Sequence, residues 1–175
     1  ERETLADAVK GVEAVVQACQ FRGAPVEDPA RGLTYDRVDR GGTANLLDAI
    51  AEVSAKPRFL YVSGITVHEG AQQPWNRAKW AAEESIRASG LDWTIVRSCW
   101  AYGEGDKALN RLLGYSDYLP FVPVFGDGRA ALTPVFVEDL GRTFALLLAD
   151  AKAAPHAVLN LGGPDKVTLD EFLGT

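Results

Sequence analysis

The sequence predicts an α/β protein built on a mostly parallel β-sheet with helices on both faces. Segments with strand character alternate with segments of helical period from one end of the chain to the other. Such repeated strand–helix–strand units close into parallel sheets through right-handed crossovers. At 175 residues the chain is long enough for one domain with a real core.

The elements follow in order. Thr4-Leu-Ala-Asp7 reads as a capping-box-like start to a short helix stopped by Gly11. Residues 12–18 read as a strand, and a Gly/Pro-rich loop then runs to about Arg31. Leu46, Leu47, Ile50 and Val53 form one helical stripe, and the helix ends before Pro57. A strand over 58–63 precedes a helix over 75–89 with Gly90 as its C-cap. On that helix Glu83 and Arg87 are spaced as an i,i+4 pair, expected on its outer face. A third strand covers 91–97.

Beyond it, 108–113 suggests a helix, 119–125 an extended piece and Gly126-Asp127-Gly128 a turn. Val135-Phe-Val137 runs into a helix carrying Leu140, Phe144, Leu147 and Leu148 on one face. A last strand over 157–161 leads to Gly162-Gly-Pro164, and Thr168-Leu-Asp-Glu171 opens a final helix with a capping box. Ligands of such sheets bind beyond the C-terminal ends of the strands. Ala18, Ser63, Arg97 and Gly162 fall near those ends.

Composition excludes several functions. A net charge of −6 gives no basic footprint for nucleic acid or an anionic membrane surface. No apolar run reaches the ~20 residues of a membrane span and no signal peptide opens the chain, which together point to the cytoplasm. Cys19 and Cys99 each follow a strand. If the strand order is sequential these strands are second neighbours, about 9–10 Å apart, too far for a disulfide. His68 sits in a loop with no metal-ligand partner in register, and no metal is expected.

Two stretches match Gly-x-Gly-x-x-Ala by letter, and neither has the context of a phosphate fingerprint. Gly126-Asp-Gly-Arg-Ala-Ala131 is followed by Leu132-Thr-Pro134 rather than a helix. Gly103-Glu-Gly-Asp-Lys-Ala108 begins well after the strand end at Arg97 instead of turning tightly off it. Both read as plain turns.

The order of six other pieces is more specific. They are Val38-Asp-Arg-Gly-Gly-Thr-Ala-Asn-Leu-Leu-Asp-Ala49, Ser63 followed by Trp75-Asn-Arg-Ala-Lys79, Arg97-Ser-Cys-Trp-Ala-Tyr-Gly103, Gly126-Asp-Gly128, Val135-Phe-Val-Glu-Asp-Leu140 and Gly162-Gly-Pro164. Together, over essentially the whole chain, they resemble the extended short-chain dehydrogenase/reductase superfamily. Within it the chain resembles the atypical branch near the NmrA-like regulators and the Rossmann accessory subunit of respiratory complex I.

The resemblance implies a Rossmann-like sheet and NADP or NAD as cofactor. It also implies a glycine-rich loop, a helix and two more strands ahead of anything like Glu1. This chain, which holds no methionine, therefore reads as lacking the N-terminal glycine-loop strands. Residues 1–175 are then a partial NAD(P)-binding domain, with a small substrate-side portion at about 103–135 and 162–175. With the strand 12–18 left as a bare edge, the isolated chain is expected to bind no dinucleotide tightly and either to self-associate through that edge or to be poorly soluble.

In the superfamily a strand-end serine and Tyr-x-x-x-Lys carry the chemistry, the lysine holding the ribose and lowering the tyrosine pKa. Here Ser63 and Lys79 stand in place and Trp75 occupies the tyrosine position. Indole N–H is a donor only and exchanges no proton near neutral pH. The resemblance gives Ser63, Lys79 and Trp75 as the catalytic positions. It gives Ala18, Asp39, Ser63, Lys79, Ser98, Cys99 and Trp100 as the cofactor side.

Each has a plainer alternative. Lys79 could be a surface lysine pairing with Glu83, Asp39 an exposed acid at a helix start, and Ser63 a strand-end residue. Trp75 and Trp80 could be packing aromatics. Asp139 reads as charging a helix N-terminus, and Tyr102, able in principle to replace the phenol, as packing.

The reading that results is an NAD(P)-binding atypical dehydrogenase-like protein, acting as an oxidoreductase or isomerase on a small organic molecule. The alternatives are a non-catalytic dinucleotide-binding module that is structural or redox-sensing, and a sugar-nucleotide epimerase or dehydratase. Partners are a small-molecule substrate or none.

Overall fold

The computed structural model describes residues 2–23, 26–54, 56–115, 118–119, 127–150 and 152–174. The chain divides into two compact units, Glu1–Arg97 with Asp150–Leu159, and Ser98–Ala149 with Asn160–Thr175.

The first unit contains α1 (Arg2–Val9), β1 (Ala14–Gln17), α2 (Gly41–Glu52), β2 (Arg58–Gly64), α3 (Pro74–Ala88) and most of β3 (Trp93–Ser98). The last strand of the main sheet is β7 (Ala157–Leu161), and the sheet order is β1-β2-β3-β7. β1 and β2 run parallel, with Ala14 opposite Arg58 and Gln17 opposite Tyr61. Phe59 N–H donates to Asp92 O, aligning the starts of β2 and β3. His156 N–H donates to Trp93 O and Cys99 N–H to Leu161 O, so β3 and β7 also share one direction. The strands bearing the cysteines are thus second neighbours, and both thiols are free.

β2 lies inside the sheet, and Phe59, Leu60 and Tyr61 are fully buried. With the period of two expected of a strand, Phe59 and Tyr61 share a face with Trp93 and Ile95 of β3. These pack against Val9, Ala49, Ile50, Ala82 and Ile86 from the three helices. Each of the larger aliphatic and phenylalanine side chains among them contributes roughly 1.5–3 kcal/mol by leaving water. Beneath them Arg58 donates to the Asp150 and Ala153 carbonyls, tying the segment that leads into β7.

One local expectation needs correction. α1 is already helical at Arg2, so Thr4 lies inside it rather than at its start. α2 is preceded without a break by a π-helical turn, Asp36–Arg40, in which Gly41 N–H reaches back to Asp36 O. A π-turn widens the helix and occurs often at functional sites. Here it turns Asp39 inward.

The second unit holds β4 (Ala101–Tyr102), α4 (Lys107–Gly114), β5 (Ala131–Leu132), β6 (Val135–Phe136), α5 (Val137–Ala149), β8 (Val167–Thr168) and α6 (Leu169–Leu173). β4 pairs with β6 in parallel and β5 with β8 antiparallel. The capping box of α6 forms as its sequence predicts, with Thr168 and Glu171 satisfying each other's backbone N–H groups. Most of the extended piece 119–125, and Gly126 of the turn after it, lie outside the described residues. No helix among the described residues is long and apolar enough to cross a membrane.

Candidate functional site

α3 builds the site because one of its faces is turned inward over two full turns. Asn76, Ala78, Lys79, Ala82, Glu83 and Ile86 are all buried, at helical spacing. Lys79 is only 3% exposed, Asp39 1% and Glu83 0%. The surface readings of Lys79 and Asp39 are therefore wrong, and so is the placing of Glu83 on the outer face of its helix. Lys79 pairs not with Glu83 but with Asp39, at 3.2 Å.

The Lys79 ammonium sits past the end of β1 and beside the end of β2. It donates to Cys19 O and Val62 O, each at 3.3 Å, and lies 4.9 Å from the centre of the Tyr61 ring. Asp39 Oδ1 faces it at ion-pair distance but without the alignment of a hydrogen bond. Burial holds the Lys79 pKa below its usual value, and Asp39 offsets part of that shift. The other carboxylate oxygen, Oδ2, accepts the Phe21 N–H at 3.1 Å.

Beneath the pair, Thr43 donates to Asp39 O at 2.6 Å and accepts from Gln17 Nε2 at 2.9 Å. With that hydroxyl engaged, Tyr61 OH and Gln17 Oε1 are left buried without an aligned partner. Burial, and then the charge of Asp39, push the Tyr61 phenol well above the usual tyrosine range, so it is not a working acid or base.

One turn further along α3, Glu83 gathers a second buried cluster. Ser63 donates to its Oε1 at 2.7 Å, Arg97 binds both oxygens at 3.0 and 2.6 Å, and Arg87 adds a bond at 2.7 Å. The guanidinium groups of Arg87 and Arg97 lie 5.0 and 5.7 Å from the centre of the Trp80 ring. Ser63 is thus hydrogen-bonded to a carboxylate within the protein. Its hydroxyl proton is already committed, which removes the simplest way for it to polarise a substrate carbonyl.

Trp75 is half-buried. Its indole lies against Gly64, where an added Cβ would overlap the six-membered ring. It packs beside Phe21, Tyr35, Val38 and Ala78, and its buried N–H has no hydrogen-bond partner. The position that would hold the phenol is therefore filled by an aromatic with no titratable group.

Ala18 is exposed at the end of β1. Ser98, Cys99 and Trp100 belong to the second unit and are half-buried there. The Cys99 N–H is used by Leu161 O, and the Trp100 indole donates to Asp106 at 2.9 Å. Tyr102 packs between Phe136 and Phe172, tilted to the first ring and edge-on to the second, as a packing residue does. Asp139 charges the first turn of α5 and pairs with Arg142. His68 is exposed and bonds the neighbouring Glu69 carbonyl. Among the described residues no group of His, Cys, Asp or Glu could hold a metal ion.

Reading the sequence missed Glu83 as a hub, and with it Phe21, Thr43 and Gln17 as partners of the lysine layer. The signal for Glu83 was present. It lies four residues after Lys79 and one after Ala82, so any orientation that buries Lys79 buries it too.

A parallel sheet with a lysine enclosed at its C-terminal strand ends, on a helix entered through the Ser63–Trp75–Lys79 arrangement, defines an NAD(P)-binding protein of the atypical short-chain dehydrogenase/reductase type. A family model described as NAD(P)H-binding matches residues 1–117, and the chain belongs to that family.

Among curated proteins, the chain is 30% identical over 115 residues to subunit 9 of the NADH dehydrogenase [ubiquinone] 1 alpha subcomplex, mitochondrial, of Arabidopsis thaliana. That match covers 66% of this chain and 29% of the plant protein. The protein of the same name from Dictyostelium discoideum is 23% identical over 143 residues, covering 82% of this chain and 39% of its own length. The chain thus spans well under half of either relative.

Among solved structures, UDP-glucuronic acid 4-epimerase from Bacillus cereus in complex with NAD superposes with a TM-score of 0.78 at 19% identity, covering 98% of this chain and 63% of the epimerase. RMD from Pseudomonas aeruginosa complexed with NADPH gives 0.73 at 21%, covering 99% and 67%. At these identities the likeness is one of fold.

The residues present fit the nicotinamide-ribose end of such a cofactor. Lys79 stands at the strand ends where ligands of these sheets bind, and the polar atoms enclosed around it are only partly satisfied by the chain.

Proposed function

We propose that this chain holds NAD(P) through Lys79 without performing alcohol–ketone redox chemistry, as a structural or redox-sensing part of a larger protein or assembly. The observation that carries the reading is Trp75 packed on Gly64, which leaves no ionisable group where proton transfer takes place in the superfamily. The bound cofactor would supply hydride chemistry. What the chain's own residues supply is ribose binding by Lys79 and the exclusion of water by Phe21, Tyr35 and Trp75. The two curated relatives, named as subunits of NADH dehydrogenase, support a role within an assembly.

A second reading, a reductase or isomerase acting on a small molecule, draws on Lys79 itself. An ammonium whose pKa is lowered by burial can serve as a proton donor. The epimerase reading has no such support, because a sugar carbinol needs a base at position 75.

The test is a titration of the protein with NADH and NADPH to millimolar concentration, alongside an assay of hydride transfer to a simple ketone. Saturable binding without turnover is the expected result, with turnover appearing on Trp75→Tyr. Turnover by the unaltered protein that is lost on Lys79→Gln would replace the first reading by the second.

A further inference from the structure

We propose that Asp39 is a positioning residue that competes with the dinucleotide for Lys79, an internal counter-ion that occupies the ammonium until the ribose hydroxyls take it over. The inference rests on the dinucleotide reading above and adds to it how access to the lysine is controlled.

The enclosure comes first. The side chain of Lys79 is 4% exposed and that of Asp39 0%, so neither touches a ligand as the site stands. An ammonium has three N–H donors. Cys19 O, Val62 O and Asp39 surround it, so a ribose hydroxyl has to displace one of them. Val62 O belongs to the backbone of β2 and cannot swing away. Of the three, Asp39 alone offers a side chain, which can swing away without moving the backbone that holds it.

Its place in the chain makes it movable. Asp39 lies in the π-turn, a local departure from regular α-helix that can relax without unwinding α2. Asp39 also ties down the segment that covers the lysine. Oδ2 accepts from Phe21 N–H, and the Cys19 carbonyl two residues earlier accepts from Lys79. The Phe21 ring, edge-on to Tyr35 at 5.1 Å, anchors the far end of that segment. When Asp39 lets go of Lys79 it becomes a buried carboxylate without its cation, and must turn towards water. That movement loosens Phe21 and frees the segment over residues 18–21.

The experiment is a fluorescence titration with NADH and NADPH of the unaltered protein, Asp39→Asn, Lys79→Gln and the double variant. Asp39→Asn keeps an acceptor for Phe21 and removes the competing charge. It is expected to bind about tenfold tighter, the scale of one ion-pair contact no longer broken on binding. Lys79→Gln should bind more weakly than the unaltered protein, and the double variant should match it, because the competition needs the lysine. An Asp39→Asn affinity equal to or weaker than that of the unaltered protein overturns the proposal. So does a gain that persists without Lys79.

Should Asp39→Asn not fold, hydrogen exchange in the unaltered protein decides. Saturating NADH is expected to speed exchange of the Phe21 amide, and slower exchange there overturns the idea. Absence of binding in every protein removes the dinucleotide reading and this inference together, whereas binding with no gain in Asp39→Asn removes this inference alone.

Discussion

Lys79 and Glu83 lie one turn apart on the same buried face of α3, yet their surroundings hold them in opposite ways. Glu83 receives four bonds of 2.6–3.0 Å from Ser63, Arg87 and Arg97. Lys79 has contacts of 3.2–3.3 Å, one of them unaligned, and unsatisfied polar atoms of Gln17 and Tyr61 share its layer. Burial of a charge does not by itself mark function. A saturated, short-bonded cluster fixes an arrangement, and a loose one can exchange partners. The Glu83 cluster joins α3 to the ends of β2 and β3, while the Lys79 cluster is the one proposed to exchange a partner for a ligand.

The comparison can be broken most decisively at Glu83. Glu83→Gln should lower the unfolding free energy by about 3–5 kcal/mol, because two partly buried guanidinium groups lose their shared carboxylate. Removing both charges of the other pair, Lys79→Met with Asp39→Asn, should change stability by less than about 1 kcal/mol, since paired charges can be replaced together at little cost. Urea denaturation of both variants measures the contrast. Equal losses would mean that the two clusters are the same kind of structure.

Trp75 stands on the Lys79 side of this contrast, and its packing can be tested directly. Gly64→Ala should cost about 1–3 kcal/mol, because the new methyl overlaps the indole ring. Shortening the partner with Trp75→Leu should recover most of that loss in the same denaturation experiment.

Lys79 should also leave a signature in the pH dependence of stability. Its folded-state pKa is lowered from the usual 10.5, so between the two values the unfolded chain binds more protons than the folded one. Stability relative to Lys79→Met should therefore rise as pH climbs through that window, and level off above it. A fall over the same range would mean that pairing with Asp39 outweighs burial.

The smallest effect belongs to the exposed pair Asp36–Arg40, at the start of the same π-turn. Its hydrogen bond to Arg40 lowers the Asp36 pKa, so the contribution is present above the usual aspartate range and fades as pH falls through the lowered value. Asp36→Asn should cost no more than about 0.5 kcal/mol at neutral pH.

The alternation of strands and helices was legible in the sequence because period two and period 3.6 leave direct marks, and β2, α3 and β3 fall within about two residues of the expected bounds. The start of α1 was not, since Thr4-Leu-Ala-Asp7 has the letters of a cap while the helix already runs at Arg2. The Ser63–Trp75–Lys79 order was legible as well. What escaped is which charges are buried. A lone acid such as Asp39 reads as solvated by default, and its partner lies 40 positions away on another element. Glu83 was assigned to the wrong face because Arg87, four residues on, gave it a local partner. Arg97 and Ser63, which complete its shell, come to it only through the sheet.

Lys79 is proposed as the group a dinucleotide engages, with no proton chemistry accompanying it. The most direct test is the side-chain amine signal of Lys79 in lysine-labelled protein, followed by NMR during titration with NADH and a ketone. A saturable shift of the Lys79 signal with no NADH consumed is the expected result. An unmoved Lys79 signal while NADH binds elsewhere, or steady consumption of NADH, would contradict it.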